Sequence, residues 1–504
     1  MTFEQILQGA EVLSRSGNPT VTGLAYDSRR VSPGFVFVAM RGESSDGNSF
    51  IDRAIASGAV AVVSDSATEP PRAGVAWVLV PHGRRALGRL SANFYNRPAE
   101  RIALTGITGT NGKSTTAFLF ESILMAAGRK SVLVGTIEYH VAGKVLPAPH
   151  TTPESLELNQ MLAEGVGHGA TEGVMEVSSH ALAQQRVFAV PFDVAMFTNL
   201  TRDHLDYHRT MEEYFATKRI LFEGCGTEAP RAAIINIDDE YGRKLVSSSK
   251  KRGSQVLTYG WNNGDLHAEN VHITPRGTRF DVMGSSGTIP VFSPLIGKVN
   301  VYNILASVGA ALARNCSQDA IAKGLAALTR VPGRFERVDC GQPFTVVVDY
   351  AHTDDALRNL TTLAREFVAQ AGVKGRVITV FGCGGDRDRT KRPLMGEAAG
   401  KGSDFVVLTS DNPRSEDPLA IMNDAVVGLQ RSGARYTMEP ERRAAIALAV
   451  GEARPGDIVL VAGKGHEKVQ VSREGSIPFD DVQVSREALI KAGYECQAAK
   501  AGQA

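Results

Sequence analysis

The sequence predicts an α/β fold in three domains. A central P-loop-type, mostly parallel sheet is flanked by a small N-terminal α/β domain and a C-terminal α/β domain. Three observations carry this. At 504 residues the chain is too long for one core. Short apolar runs alternate with segments of helical character, the pattern of strands joined by crossover helices. At the end of the first fifth, the run Ile102–Leu104 feeds the glycine-rich turn Gly106-Ile107-Thr108-Gly109-Thr110-Asn111-Gly112-Lys113-Ser114-Thr115, which opens onto an amphipathic segment, Thr116–Met125.

Composition narrows the function classes. Hydrophobic residues make up 43% and charged residues 22%, as in a globular protein. The formal net charge of +1 gives no bulk attraction to nucleic acid or anionic membrane, so any basic site is local. The five cysteines, Cys225, Cys316, Cys340, Cys383 and Cys496, are scattered and form no Cys-x-x-Cys pair. That points to a reducing compartment and away from a disulfide framework or structural zinc. Met1–Ala10 has no basic region before an apolar core, and no stretch reaches the roughly 18 apolar residues of a membrane span. The expectation is a cytoplasmic enzyme, with no membrane insertion and no nucleic-acid partner.

Residues 1–98 read as the first unit. Val36–Met40 and Ala59–Val63 are strand-like, Phe50–Ser57 is a helix between them, and Asp27-Ser28-Arg29 and Arg41–Gly47 are polar turns. Asn96-Arg97-Pro98-Ala99 is a hinge. In residues 99–331 the strands after the glycine loop are Ser131–Thr136, Gly173–His180 and Val194–Leu200, the last running into Thr201-Arg202-Asp203-His204-Leu205-Asp206-Tyr207-His208. Ligands of open parallel sheets gather outside the carboxyl ends of the strands, so these polar ends should converge on the edge carrying the loop. Val331–Glu336 is a second hinge. Residues 332–504 add the strands Thr345–Tyr350, Val377–Gly382, Phe405–Thr409 and Asp457–Gly463, ending in the turns Gly384–Arg389, Ser410–Arg414 and Lys464–Glu467.

The glycine loop is a phosphate cradle: its N–H groups and the helix dipole converge on an anion, Lys113 adds a mobile cation, and the Ser114 hydroxyl suits Mg²⁺. The strict motif wants glycine at position 107, where Ile107 stands between Gly106 and Gly109. Glu176 closes a buried strand near the loop and suits Mg²⁺, directly or through water. His204, between Asp203 and Asp206, is open between a surface histidine and a ligand to a second cation. Arg387, Arg389, Lys391, Arg392 and Arg414 crowd two neighbouring strand ends, where planar guanidinium groups suit carboxylates. The residues alone reach an ATP-using enzyme acting on something carboxylated.

Gly109–Thr115, Glu176-Val177-Ser178-Ser179-His180, Asn199–His208 and Asp349-Tyr350-Ala351-His352-Thr353 together resemble the Mur ligases, the ATP-dependent amide-forming enzymes of bacterial peptidoglycan precursor synthesis. The resemblance runs from Asp27-Ser28-Arg29 to Gly463–Glu467. Within the family it is most similar to the member adding the third peptide residue. Asp411-Asn412-Pro413-Arg414 is the form associated with meso-diaminopimelate rather than L-lysine, which lacks the distal carboxylate. The resemblance implies a Rossmann-like C-terminal domain and three small-molecule substrates: ATP, UDP-N-acetylmuramoyl-L-alanyl-D-glutamate and meso-diaminopimelate. It also implies an acyl phosphate on the D-glutamyl γ-carboxylate, two Mg²⁺ ions and a monomer.

The same resemblance implies residue roles. Lys113, Glu176, His204 and Lys218 would be catalytic. Gly109, Thr110, Asn111, Gly112, Lys113, Ser114, Thr115, Asn300, Asn303, Arg334 and Asp349 would bind ATP. The cations would use Ser114, Glu176, His204 and Lys218, the last as a CO₂-derived carbamate. Ser28, Glu43, Ser44 and Ser45 would meet the uridine nucleotide, and Thr151, Thr152, Ser178, Gln184 and Arg186 the muramoyl peptide. Arg387, Asp411, Asn412, Pro413, Arg414, Gly463 and Glu467 would hold diaminopimelate. Two positions depart from the family pattern: Asp354 stands where proline usually follows Ala-His-Thr, and Glu43-Ser44-Ser45 replaces His-Gln-Ala. The alternatives are the same reaction with L-lysine, a folylpolyglutamate-synthetase-like ligase, or a P-loop switch or kinase without amide chemistry.

Overall fold

The computed structural model describes residues 1–42, 45–66, 74–285, 287–370 and 374–496. Each of three sheets grows around apolar runs that alternate with helices. The first has the order Ser14–Ser16, Ala76–Leu79, Ala61–Ser64, Phe35–Ala39, Gly23–Ala25, parallel except at the Ser14–Ser16 edge. The helix Gly83–Phe94 packs on it through Ala86, Leu87 and Leu90.

The central sheet has eleven strands. Ala103–Thr108 lies in its middle, paired in parallel with Glu172–Glu176 on one side and Val194–Phe197 on the other. Ser131–Val134 continues one side; Ala232–Asn236, Gln255–Gly260 and Leu266–Thr274 continue the other. Antiparallel strands complete both edges: the hairpin Glu138–Val141 and Lys144–Pro147, and the pair Gly277–Gly284 and Gly287–Ser293. The sheet is thus mostly parallel in its core, as expected, with antiparallel edges not anticipated from the sequence. The helix after the glycine loop spans Lys113–Ala126, three residues earlier than its apolar pattern suggests. It is apolar nearly all round because it is sandwiched: Ala117, Leu119, Phe120, Ile123 and Leu124 are buried between the sheet and the helices Lys298–Ala313 and Gln318–Ala327. Each such leucine or phenylalanine contributes about 1.5–3 kcal/mol of burial.

The third sheet runs Glu336–Val338, Thr345–Asp349, Ile458–Ala462, Val377–Phe381, Phe405–Leu408, Tyr436–Met438, parallel beyond the first pair. Its buried Val, Ile and Leu runs are those of a sheet covered on both faces. A small hairpin, Val469–Ser472 with Gly475–Pro478, follows the last central strand.

Two local expectations are corrected. The segment Gly173–His180 is strand only to Glu176, because Ser178 accepts the Ala181 N–H and starts the short helix Ser179–Ala183. Cys340 and Cys496 are joined as a disulfide between the edge of the third sheet and the C-terminal segment, where scattered free thiols were expected. Cys225, Cys316 and Cys383 are free and buried.

Candidate active site

The glycine loop lies at the carboxyl end of Ala103–Thr108, and its shape is held from the neighbouring strand end. The Thr110 N–H donates to the Asn199 carbonyl (2.8 Å) and the Asn111 N–H to Asn199 Oδ1 (2.9 Å). The Thr198 hydroxyl and Asn199 Nδ2 both donate to the Asn111 carbonyl (2.7 and 3.0 Å). Gly109 must be glycine: its φ is +151°, and a Cβ there would collide with the Thr198 hydroxyl. Lys113 Nζ folds back on the Gly109 and Thr110 carbonyls (3.0 and 2.9 Å). Burial lowers its pKa, a shift that Glu176 opposes. Ser114 and Thr115 are buried in the first helical turn, where anions are favoured.

Glu176 points to this loop and is held by a residue whose role the sequence did not reveal. The Thr136 N–H donates to Oε1 (2.8 Å) and its hydroxyl to Oε2 (2.9 Å). Thr136 also bonds the Thr151 hydroxyl (3.1 Å). Only its place at a strand end signalled it. Thr152, Ser178, Gln184 and Arg186 form one bonded patch beside Glu176. The Thr152 hydroxyl donates to the Glu176 carbonyl (2.8 Å) and accepts the Ser178 N–H (3.0 Å). Arg186 donates to the Thr152 carbonyl (3.0 Å) and through Nε and Nη2 to Gln184 Oε1 (3.0 and 2.6 Å). In the first domain Ser28 is buried, and the Ser45 carbonyl accepts the Gly42 N–H (2.9 Å). Glu43 and Ser44 lie outside the described residues.

Lys218 is buried in the helix Met211–Glu223. Its Nζ donates to the Gly109 carbonyl (2.9 Å) and sits 4.7 Å from the centroid of the Tyr214 ring. Burial, and then the Lys113 charge, push its pKa well below the ordinary lysine value. The Tyr214 hydroxyl lies 3.3 Å from Thr110 Oγ1, and the His208 ring stacks on Tyr214 at 4.9 Å. His204 is next to His180, with ring centroids 4.8 Å apart. Burial drives its pKa down to about 3, against the pull of Asp203.

The third domain docks onto the loop. Arg334 reaches Ser114 Oγ (3.3 Å) and covers the Tyr350 ring (4.7 Å). Asn111 Nδ2 donates to Asp355 Oδ2 (3.0 Å), and Arg202 bonds Thr390 and Asp388. The buried Asp203 carboxylate faces Lys391 (3.8 Å) and His352 (3.9 Å). Asp349 anchors the crossing, accepting the Phe335 and Ala351 N–H groups (2.7 and 2.8 Å). Asn300 and Asn303 bond each other (3.0 Å), with Asn303 Oδ1 beside Gly112.

Arg387 and Arg414 both border Gly384, and burial first, then the Arg387 charge, depresses the Arg414 pKa. The Asp386 carboxylate is within electrostatic reach of both, and neighbouring planar guanidinium groups suit a further carboxylate. Arg414 is held in place, with φ at +53°, its N–H on the Val471 carbonyl (3.0 Å) and Nη1 on the Gly385 carbonyl (2.7 Å). The Pro413 carbonyl packs over Gly385, and Gly463, at φ +118°, lies against Asp411, where a side chain would strike the carboxylate. Asn412 Nδ2 donates to Glu467 Oε2 (2.8 Å). Arg392, expected among the arginines of a carboxylate pocket, is instead buried and bonded to Glu416 and Asp424 (2.7 and 2.9 Å). Arg389 also pairs with Asp424 (3.1 Å).

A glycine-rich loop on one domain is thus bridged to another that carries two neighbouring arginines. Models of the Mur ligase family, catalytic domain, the Mur ligase middle domain and the Mur ligase, glutamate ligase domain match residues 20–95, 107–311 and 333–465. The chain belongs to the Mur ligase family and is an ATP-dependent, amide-forming ligase. It is 55% identical to the UDP-N-acetylmuramoyl-L-alanyl-D-glutamate--2,6-diaminopimelate ligase of Solibacter usitatus, over 94% of both chains. The enzyme of that name from Geobacillus thermodenitrificans is 44% identical over 94% of this chain and 96% of its own. A solved structure of a UDP-N-acetylmuramoyl-L-alanyl-D-glutamate--2,6-diaminopimelate ligase matches with a TM-score of 0.68 at 33% identity, covering 98% of this chain and 99% of that one.

Proposed function

We infer that the chain adds meso-2,6-diaminopimelate to UDP-N-acetylmuramoyl-L-alanyl-D-glutamate at the expense of ATP, in peptidoglycan precursor synthesis. The observation that carries this is the Arg387–Arg414 pair, set across a bridged domain interface from the phosphate loop. A P-loop switch or kinase has no use for a second, cationic pocket on a separate domain. L-Lysine offers that pocket no distal carboxylate. The reading includes domains at 1–98, 99–331 and 332–504, a cytoplasmic monomer, and the ligand assignments given above. Among the described residues no helix is long and apolar enough to cross a membrane.

The reaction proceeds in two steps. A γ-carboxylate oxygen of the D-glutamyl residue attacks the γ-phosphorus of ATP, the bond to ADP breaks, and an acyl phosphate forms. The amine of diaminopimelate then attacks the acyl carbon, loses a proton, and the C–O bond to phosphate breaks. Lys113, freed from its loop carbonyls by the nucleotide, balances charge on the γ-phosphoryl group. The loop N–H groups hold the phosphates, and Arg186 with Thr152 and Ser178 fixes the peptide. Arg387 and Arg414 grip the distal carboxylate and so orient the attacking amine. The docked third domain excludes water from the acyl phosphate.

Oxygen donors suit Mg²⁺: the Ser114 hydroxyl and the Glu176 carboxylate fit one ion that takes its remaining ligands from phosphate and water. Among the described residues no three His, Cys, Asp or Glu side chains cluster as a protein-only metal site. Lys218 fits a carbamate, because a buried lysine with a depressed pKa presents the neutral amine that combines with CO₂. Bound together, the ions and the carbamate supply charge neutralisation at the transferring phosphoryl group, with His204 and Lys218 on the second ion. The test is phosphate release from ATP with the dipeptide nucleotide, offering meso-diaminopimelate and L-lysine separately. Release with diaminopimelate alone is expected; equal rates with both, or none with either, would sink the reading.

A further inference from the structure

Lys464 is fully buried in the turn that follows the strand Ile458–Ala462, yet none of the roles above uses it. Its Nζ lies 2.9 Å from Asn412 Oδ1, 3.1 Å from Glu467 Oε2 and 3.9 Å from Asp411 Oδ1. The turn is closed by its main chain as well, with the Glu467 N–H on the Lys464 carbonyl (2.9 Å). An ammonium is buried this far only where it is paired and hydrogen-bonded, so its partners define its task.

The bonding of those partners is one-sided. Asn412 Oδ1 accepts both Lys464 Nζ and the Val471 N–H (2.9 Å), which fills its two acceptor positions. Asn412 therefore has no acceptor left for an amino acid. Its Nδ2 donates to Glu467 Oε2, the same oxygen that Lys464 holds. Among the described residues Glu467 Oε1 has no hydrogen-bond partner, and the carboxylate lies within electrostatic reach of Arg414. One oxygen of Glu467 is clamped twice, while the side chain as a whole stays 29% exposed.

We propose that Lys464 is a positioning residue of the amino-acid site: with Asn412 it fixes Glu467 through Oε2 and so presents Oε1 to an ammonium group of the incoming amino acid. This rests on the reading of the third-domain pocket as the diaminopimelate site. The pocket then meets its ligand at two poles, with guanidinium groups for a carboxylate and an oriented carboxylate for an ammonium. Lys464 touches no substrate; it acts through Glu467.

The experiment compares the full-length enzyme with Lys464→Met, Glu467→Gln and the double variant, in phosphate-release kinetics with each substrate varied in turn. Loss of a charge-assisted clamp should raise KM for diaminopimelate about 10–100-fold in Lys464→Met. The same principle leaves kcat and the KM values for ATP and the dipeptide nucleotide within about threefold. Because Lys464 works through Glu467, the double variant should match Glu467→Gln within about threefold. An unchanged KM for diaminopimelate in Lys464→Met overturns the proposal, as does a parallel rise in KM for ATP. If Lys464→Met does not fold, the double variant, which removes both charges together, still decides. A diaminopimelate KM at least about tenfold above that of Glu467→Gln contradicts the mechanism. A wild-type enzyme without diaminopimelate-dependent phosphate release overturns the reaction itself, a failure distinct from a wild type that is active and a clamp that has no effect.

Discussion

Replacing Arg414 by lysine keeps the charge and removes the fork. In the structure Nη1 is pinned to the Gly385 carbonyl at 2.7 Å, which leaves Nη2 and Nε to face a carboxylate, with Arg387 beside them. A lysine ammonium cannot hold the Gly385 carbonyl and make two parallel bonds to a ligand as well. The loss is one charge-assisted hydrogen bond, about 1.5–3 kcal/mol. At 1.4 kcal/mol per decade this lowers kcat/KM for meso-diaminopimelate about 10–100-fold. The phosphate loop lies on another domain, so KM for ATP should stay within about twofold, and L-lysine, which has no distal carboxylate, should remain without turnover. Phosphate-release kinetics on the purified variant, with each substrate varied, gives all three numbers. An equal fall in ATP affinity, or a wild-type KM for diaminopimelate, would refute the assignment of Arg414.

Glu176→Gln should lower kcat by about 10²–10³ and leave KM for diaminopimelate unchanged, because it removes charge at the reacting phosphoryl group and not at the amino-acid pocket; a binding defect alone would count against it. If Lys218 works as a carbamate, CO₂-stripped buffer should slow the enzyme and bicarbonate restore it, and Lys218→Met should show neither response. His140 yields a stability test. Burial lowers its pKa, but bonds to Glu121 (2.7 Å) and Glu138 (3.0 Å) outweigh burial and hold it at about 9. A pKa raised on folding stabilises fully below the unfolded value near 6.5 and is lost as pH climbs through about 9. The wild type should therefore lose more melting temperature between pH 7 and 9.5 than His140→Gln. Parallel curves would show that the pair contributes nothing.

The parallel strands were legible because each is a short run of Val, Ile, Leu and Ala bounded by polar turns: Val377–Phe381 and Phe405–Leu408 fall within a residue of their sequence limits. The edge hairpins were not, since strands such as Lys144–Pro147 are exposed and carry no apolar signature. The helix start at Lys113 was missed because its first turn is chosen by the loop, and its apolar period begins only afterwards. That Glu176 closes a strand could be read from the sequence. Thr136 and Lys464 could not: a threonine that orients a carboxylate, or a lysine that clamps one, has no spacing of its own and emerges only when distant strand ends meet. Arg392 shows the converse, a cation placed by sequence among the carboxylate-binding arginines but consumed by Glu416 and Asp424 inside.

The central claim is that ATP activates the γ-carboxylate before the amine arrives. It is tested most directly by labelling both oxygens of that carboxylate with ¹⁸O and running the complete reaction with meso-diaminopimelate. Mass analysis of the released phosphate should find one labelled oxygen in each molecule, with the other retained in the new amide. Unlabelled phosphate, accompanying an amide product, would contradict an acyl phosphate and the account built on it.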